Sequence, residues 1–77
     1  MPRVRYFAAA EEAAGRDEEV RTEATLGELR AALTNDYPDL GDILPRCAVL
    51  VSGARAGDDA PLGPDVPVDV LPPFAGG

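Results

Sequence analysis

Hydrophobic and polar residues alternate near both ends of the chain. A period of two is typical of β-strands that bury one face. The alternation predicts a first strand over residues 3–8, with Val4, Tyr6 and Ala8 on one face, and a last strand over 67–71, with Val68 and Val70 inside.

Two further segments have strand-like patterns of a different kind. Residues 18–24 carry many charges, which favours an edge strand with Val20 and Thr22 facing inward. Residues 47–51 form a continuous apolar run, Cys-Ala-Val-Leu-Val, which is typical of a strand buried on both faces or nearly so.

Helical patterns fill two of the intervals between these strands. Residues 8–14 are rich in Ala and Glu and stop at Gly15, which predicts a short helix with a glycine end. Thr25 and Glu28 fit a capping box at the start of the main helix. Its apolar stripe is Leu26, Leu29, Leu33 and Tyr37, and Pro38 is expected to end it.

The remaining segments are predicted to be irregular. Residues 40–44 should contribute Leu40, Ile43 and Leu44 to the base of the core before Pro45. Ser52-Gly53 is a turn signal, residues 55–59 are expected to be an exposed loop, and Leu62 should anchor the turn-rich segment 61–65.

The order of elements predicts an α+β fold. One main helix covers only one face of a mixed sheet, and a β-grasp arrangement satisfies the order strand, strand, helix, strand, short strands or turns, strand. The expected division is a β-grasp domain over residues 1–71 and an extended, flexible C-terminal Gly-Gly tail over 72–77.

Size and charge narrow the possible functions. A chain of 77 residues is one small domain with little room for an internal catalytic pocket. Fourteen acidic and seven basic residues give a net charge of −7, which disfavours nucleic acid and anionic membranes as partners. The charge favours a protein partner with a basic surface, or it serves only to keep a small domain soluble.

The body of the domain offers few conventional catalytic groups. The chain has no His, and its single Cys, Cys47, lies in an apolar run where core packing is the favoured role. The acidic pair Asp58-Asp59 lacks the spaced oxygen ligands of a calcium loop, so no metal site is predicted. Neither a membrane span nor a signal peptide is evident, which makes the cytoplasm the expected compartment.

The C-terminal segment is the candidate for chemistry. Pro72-Pro73 follow the last strand and hold the chain extended, and Gly76-Gly77 provide a tip without side chains. Six residues at about 3.3 Å each reach on the order of 20 Å. The tip suits insertion into a narrow channel, where the Gly77 carboxylate can react as a nucleophile.

Several motifs together resemble the MoaD/ThiS family of sulfur carriers, and most of all the small subunit of molybdopterin synthase. The similarity extends over the whole chain. The segments that carry it are 4–8 (VRYFA), 11–15 (EEAAG), 25–29 (TLGEL), 59–62 (DAPL) and, most specifically, 71–77 (LPPFAGG).

The resemblance implies a ubiquitin-like sulfur carrier that is not catalytic alone. An E1-like adenylyltransferase would adenylate Gly77 with ATP, and a sulfur donor of the desulfurase or rhodanese type would convert it to a thiocarboxylate. The carrier would bind no cofactor itself. In the molybdopterin branch, the tail would enter the molybdopterin synthase large subunit and donate its sulfur to a pterin precursor.

Two departures from the family pattern concern the choice of partner. The turn before the last strand is Pro-rich, and Phe74 stands where smaller aliphatic residues are common. Thiamine, cysteine and tRNA thiolation pathways, or a role as a ubiquitin-like modifier, stay open as alternatives. The expected partner contacts are Phe7, Pro72, Pro73, Phe74 and Ala75. For Phe7 an exposed position is favoured, and packing beneath the main helix is the alternative.

Overall fold

A computed structural model of the chain describes residues 1–73. Five strands form one mixed sheet in the order β2-β1-β5-β3-β4. The strands are β1 (Arg3–Tyr6), β2 (Glu18–Val20), β3 (Ala48–Val51), β4 (Ala54–Arg55) and β5 (Pro67–Leu71). The helices are α1 (Ala9–Ala14), α2 (Leu26–Asp36) and α3 (Pro38–Ile43), followed by a 3-10 turn over Leu44–Arg46.

Strand β5 lies at the centre of the sheet. It runs parallel to β1 and antiparallel to β3. The register pairs Val4 with Val68, and it places Val70 between Tyr6 and Val49. These alternating residues point to one face, which the helices cover. The two-layer α+β arrangement and the β-grasp strand order are therefore as predicted.

The core consists of residues from every layer of the fold. Leu29 and Leu33 of α2 are 1% exposed, and Val68 and Val70 are fully buried against them in one cluster. Leu62 is buried as predicted, so it fixes the long segment between β4 and β5 to the domain. The other members of the cluster are Val4, Tyr6, Ala10, Ala14, Leu26, Leu40, Leu44, Cys47 and Val49.

The main helix starts as its sequence predicts. The backbone amide of Glu28 donates to Thr25 Oγ1 at 3.2 Å, which caps the first turn. Helix α2 ends at Asp36, and Tyr37 separates it from α3. The prediction of an irregular segment after Pro38 was wrong, because a proline is well tolerated in the first turn of a new helix.

Three predictions for the strands need correction. β1 ends at Tyr6, so Ala8 is exposed rather than inward-facing. β2 ends at Val20, which is 52% exposed, while Glu19 faces the domain. Thr22 lies beyond the strand and is also exposed. Arg55 lies in β4 rather than in a loop, because the turn at Ser52-Gly53 has positive φ at both residues and pairs the flanking residues directly.

The third strand is buried mainly on one face. β3 spans Ala48–Val51, and only Val49 in it is fully inside, while its neighbours are half-buried. Val49 points to the face that the helices cover, and Ala48 and Leu50 point to the opposite, outer face of the sheet. The uninterrupted apolar run therefore supplies both the core and part of the outer surface.

Candidate functional site

The root of the C-terminal segment is fixed by the centre of the sheet. Leu71 ends β5 and pairs with Ala48 of β3. Pro72 is buried and Pro73 is exposed, so the chain leaves the domain between these two prolines. The other predicted site residues, Phe74, Ala75, Gly76 and Gly77, lie outside the described residues.

A groove of about 490 Å³ surrounds this root. Leu71, Pro72 and Pro73 form one side of it, and the segment from the 3-10 turn into β3 forms another, with Arg46 and Ala48. Arg55 of β4 also lines it. The groove thus joins the exit point of the chain to one end of the β3–β4 hairpin.

Phe7 lies beside the same exit point on the other flank of β5. Its backbone amide donates to the Val70 carbonyl at 3.1 Å, and its side chain is 38% exposed. Because Tyr6 pairs with Val70, the next position along places Phe7 next to Leu71 on the outer face. Leu71 in turn pairs with Ala48, so Phe7, Leu71 and Ala48 form an apolar row across the sheet.

The residue after Phe7 has an unusual backbone conformation. Ala8 has φ 51° and ψ −124°, a backbone conformation that residues other than glycine rarely adopt. The conformation turns the chain from β1 into α1, and the Ala10 amide then donates to the Phe7 carbonyl at 3.0 Å. Sequence reasoning missed this feature, because an alanine in an alanine-rich segment gives no sign of it.

Arg5 lies over the ring of Phe7, and its charge is paired with a carboxylate. Its Nε and Nη2 atoms donate to the two carboxylate oxygens of Asp69 at 2.7 and 2.9 Å. This hydrogen bonding, with the charge of Asp69, raises the pKa of Arg5. The guanidinium also lies 5.8 Å from the centre of the Phe7 ring, which helps to hold the exposed aromatic side chain in place.

Cys47 has the structural role that its sequence context predicts. Its side chain belongs to the core cluster, and Sγ donates to the Ile43 carbonyl at 3.3 Å. Burial raises the pKa of the thiol, which disfavours the reactive thiolate. Although Cys47 lines the groove at the root of the tail, it is poorly suited to act as a nucleophile there.

The acidic residues of the described part do not form a metal site. Within residues 1–73 there is no group of three or more His, Cys, Asp or Glu side chains that could hold an ion. Asp58 instead lies 3.1 Å from the guanidinium of Arg30.

The sequence of residues 4–77 matches the ThiS family model. This chain belongs to the ThiS family. The match includes both the strand that ends at Leu71 and the segment that follows it. Among curated proteins, none matches the sequence significantly.

Solved structures similar to this ThiS-family chain include molybdopterin converting factor subunits and small archaeal modifier proteins. Small archaeal modifier protein 1 from Methanosarcina acetivorans is 23% identical with a TM-score of 0.87, over 99% of this chain and 95% of that one. A candidate molybdopterin converting factor, subunit 1, from Pyrococcus furiosus is 23% identical with a TM-score of 0.84, over 95% and 97% of the two chains.

A third similar structure contains two kinds of subunit. It is the complex of subunits 1 and 2 of the molybdopterin-converting factor from Helicobacter pylori, where the matched chain is 26% identical with a TM-score of 0.75, over 99% of this chain and 97% of that one. The ThiS-family chain thus has the ubiquitin-like β-grasp fold of sulfur carriers and protein modifiers. No helix within residues 1–73 is long and apolar enough to cross a membrane.

Proposed function

We propose that this protein is a sulfur carrier whose Gly77 carboxylate is adenylated and then converted to a thiocarboxylate. The observation that carries the proposal is the position of β5. The central strand of the sheet ends at Leu71 and continues directly into Pro72 and Pro73, within a segment that matches the ThiS family as far as residue 77. A rigid origin followed by a narrow tip suits delivery of a chain end into another protein's cavity.

The chemistry divides between the carrier and its partners. An E1-like adenylyltransferase joins the Gly77 carboxylate to AMP from ATP and releases pyrophosphate, which gives a mixed anhydride with a good leaving group. The terminal sulfur of a persulfide on a sulfur donor of the desulfurase or rhodanese type then attacks the acyl carbon and displaces AMP. A second thiol reduces the resulting acyl disulfide, which releases the Gly77 thiocarboxylate and leaves the two thiols joined as a disulfide. The described body of the chain contributes position and reach, while the partner enzymes contribute the acid–base groups.

Molybdopterin biosynthesis is the pathway that we favour. The Helicobacter pylori structure pairs a subunit of the same fold with subunit 2 of the converting factor, which supports a large-subunit partner here. In this proposal, the tail enters the large subunit and residues 72–75 line the contact with its channel. Phe7, at the head of the apolar row on the outer face, completes the docking surface.

A protein modifier is the second candidate, because structures of small archaeal modifier proteins share the fold. A modifier and a carrier both need the Gly-Gly end and an adenylating enzyme. They differ in the product, which is an amide bond to a target protein in one case and a thiocarboxylate in the other.

Intact-mass measurement tests the proposal. The protein is incubated with the adenylating enzyme from the same genome, ATP and a sulfur donor, and a carrier should gain the mass difference between sulfur and oxygen. A Cys47→Ala variant is the matched control, since it removes the single thiol that could also take up sulfur. The proposal fails if the mass gain is lost with Cys47, or if only conjugates of higher mass form.

A further inference from the structure

The seven arginines differ in their ion pairs. Five of them lie within 4.0 Å of a carboxylate, namely Arg3, Arg5, Arg16, Arg21 and Arg30. Arg46 and Arg55 pair with no carboxylate among residues 1–73, although this chain has twice as many acidic as basic residues. Among the described residues, these two arginines are thus the exceptions on a strongly acidic domain.

Both of these arginines line the groove at the root of the tail. Arg46 ends the 3-10 turn that leads into β3, and Arg55 pairs with Leu50 across the hairpin. Both side chains are exposed. Two separate segments therefore bring positive charge to the place where Pro73 leaves the domain.

The charge around the exit point is asymmetric. On the β1 flank, the bidentate pair between Arg5 and Asp69 cancels the positive charge. On the β3–β4 flank, Arg46 and Arg55 lie beside the apolar row of Phe7, Leu71 and Ala48, and no carboxylate among residues 1–73 lines the groove with them. The rest of the chain has fourteen acidic and five basic residues, so the groove differs from it in the sign of its charged side chains.

We infer that Arg46 and Arg55 orient the adenylating enzyme on this domain, and that the enzyme presents carboxylates at the entrance of the cavity that receives the tail. The inference rests on the proposed function. A protein that encloses the residues beyond Pro73 must contact the domain where Pro73 leaves it, and both arginines line the groove at that place. Charges at the rim of an interface act mainly on the association rate and its salt dependence.

Association kinetics test the inference. The rate constant for binding of the cognate adenylating enzyme is measured against salt concentration for the wild type and for an Arg46→Gln/Arg55→Gln variant. An Arg3→Gln/Arg16→Gln variant is the matched control. It removes the same net charge from side chains that are 59% and 51% exposed, on or beside the strands at the opposite edge of the sheet.

We expect the groove variant to associate about tenfold more slowly at low salt and to lose most of the salt dependence, whereas the control should change less than about twofold. An Arg46→Glu/Arg55→Glu variant should bind more slowly still. Equal slowing in the groove and control variants would mean that only net charge matters, and it would overturn the inference. Unchanged association of the groove variant would overturn it as well.

Two further measurements separate the alternatives. Sedimentation of the wild-type protein should show a monomer, and an assembly that disappears in the groove variant would identify a second copy of this acidic chain as the occupant instead. Sulfur gain by the wild type, measured by intact mass, distinguishes the two proposals. If sulfur is gained while the groove variant binds normally, only the role of Arg46 and Arg55 is refuted.

Discussion

The phenol of Tyr6 donates a 2.6 Å hydrogen bond to Glu19 Oε2, and Tyr37 donates to the same oxygen at 2.8 Å. Burial, followed by the bond to Glu19, raises the pKa of the Tyr6 hydroxyl, so it remains a donor. Glu19 belongs to β2, Tyr6 to β1, and Tyr37 lies between α2 and α3. One carboxylate thus joins the edge strand to the sheet and to the helical layer.

This arrangement predicts acid sensitivity. Burial alone would raise the pKa of Glu19, but the hydrogen bonds from Tyr6 and Tyr37 and the charge of Arg21 outweigh it and lower the pKa. Such a carboxyl stabilises the fold above its unfolded pKa, and this contribution is lost as the pH falls through the lower, folded pKa. We expect the free energy of unfolding to decrease as the pH drops from about 5 towards about 3.

Substitution of Glu19 isolates its share of that decrease. Glu19→Gln should lower the free energy of unfolding by about 1–2 kcal/mol at neutral pH and should flatten its decrease in acid, because the amide has no charge to lose. Denaturant unfolding at a series of pH values measures both effects. Glu18→Gln is the control, since its exposed ion pair with Arg3 should contribute less than about 1 kcal/mol. Equal pH profiles for both variants would contradict the assignment.

The backbone of Ala8 predicts a stabilising substitution. Ala8→Gly should raise the free energy of unfolding by about 0.5–1 kcal/mol, because glycine relieves the strain of φ 51° at a smaller entropic cost. Gly15→Ala should lower the free energy of unfolding by about 1 kcal/mol. Gly15 has φ 76°, which is unfavourable for alanine, although there is open space around the new Cβ. Thermal unfolding of the two variants should shift in opposite directions, and shifts of the same sign would refute the argument.

Truncation of the core leucines should be far more costly than truncation at the surface. Leu29→Ala or Leu33→Ala is expected to lower the free energy of unfolding by about 2–5 kcal/mol, because each leaves a cavity beneath α2. Val20→Thr provides the control on the exposed side of β2, where a change within about 0.5 kcal/mol is expected. A large effect at Val20 would restore the inward orientation that its sequence first indicated.

Deletion of Gly76 and Gly77 should separate stability from function. The core cluster lies between Val4 and Val70, so the free energy of unfolding should change by less than about 0.5 kcal/mol. Adenylation and sulfur gain should nevertheless be abolished, because the shortened chain ends at Ala75 and its carboxylate is two residues closer to the domain. A loss of several kcal/mol on deletion would show that the two glycines support the fold itself.

Periodicity predicts β1, β5 and α2 because each of these elements buries a single face against the same core. It fails at β2, where Val20 was expected inside. The inward-facing residue of β2 is Glu19. Its carboxylate accepts hydrogen bonds from the hydroxyls of Tyr6 and Tyr37, which an apolar side chain at this position would leave without an acceptor. Those hydroxyls come from positions 13 and 18 residues away, so no local pattern reveals them.

The candidate site, like the fold, was predictable from the sequence only in part. The alternation that ends at Leu71, followed by Pro72-Pro73, locates the root of the tail without any tertiary information. The convergence of Arg46 and Arg55 depends on the β3–β4 hairpin, whose second strand has only two residues and therefore no detectable period. That no carboxylate of residues 1–73 pairs with them depends in turn on where the acidic residues of the other segments lie.

The central position of β5 also affects how the molecule is made. β5 is the last described strand to leave the ribosome, yet β1 and β3 have no shared neighbour until it arrives. Pairing over such a long separation in sequence is slow to form. A nascent polypeptide interrupted before Pro67 would lack the strand that joins β1 to β3, so the five strands can form one sheet only after β5 has been synthesised.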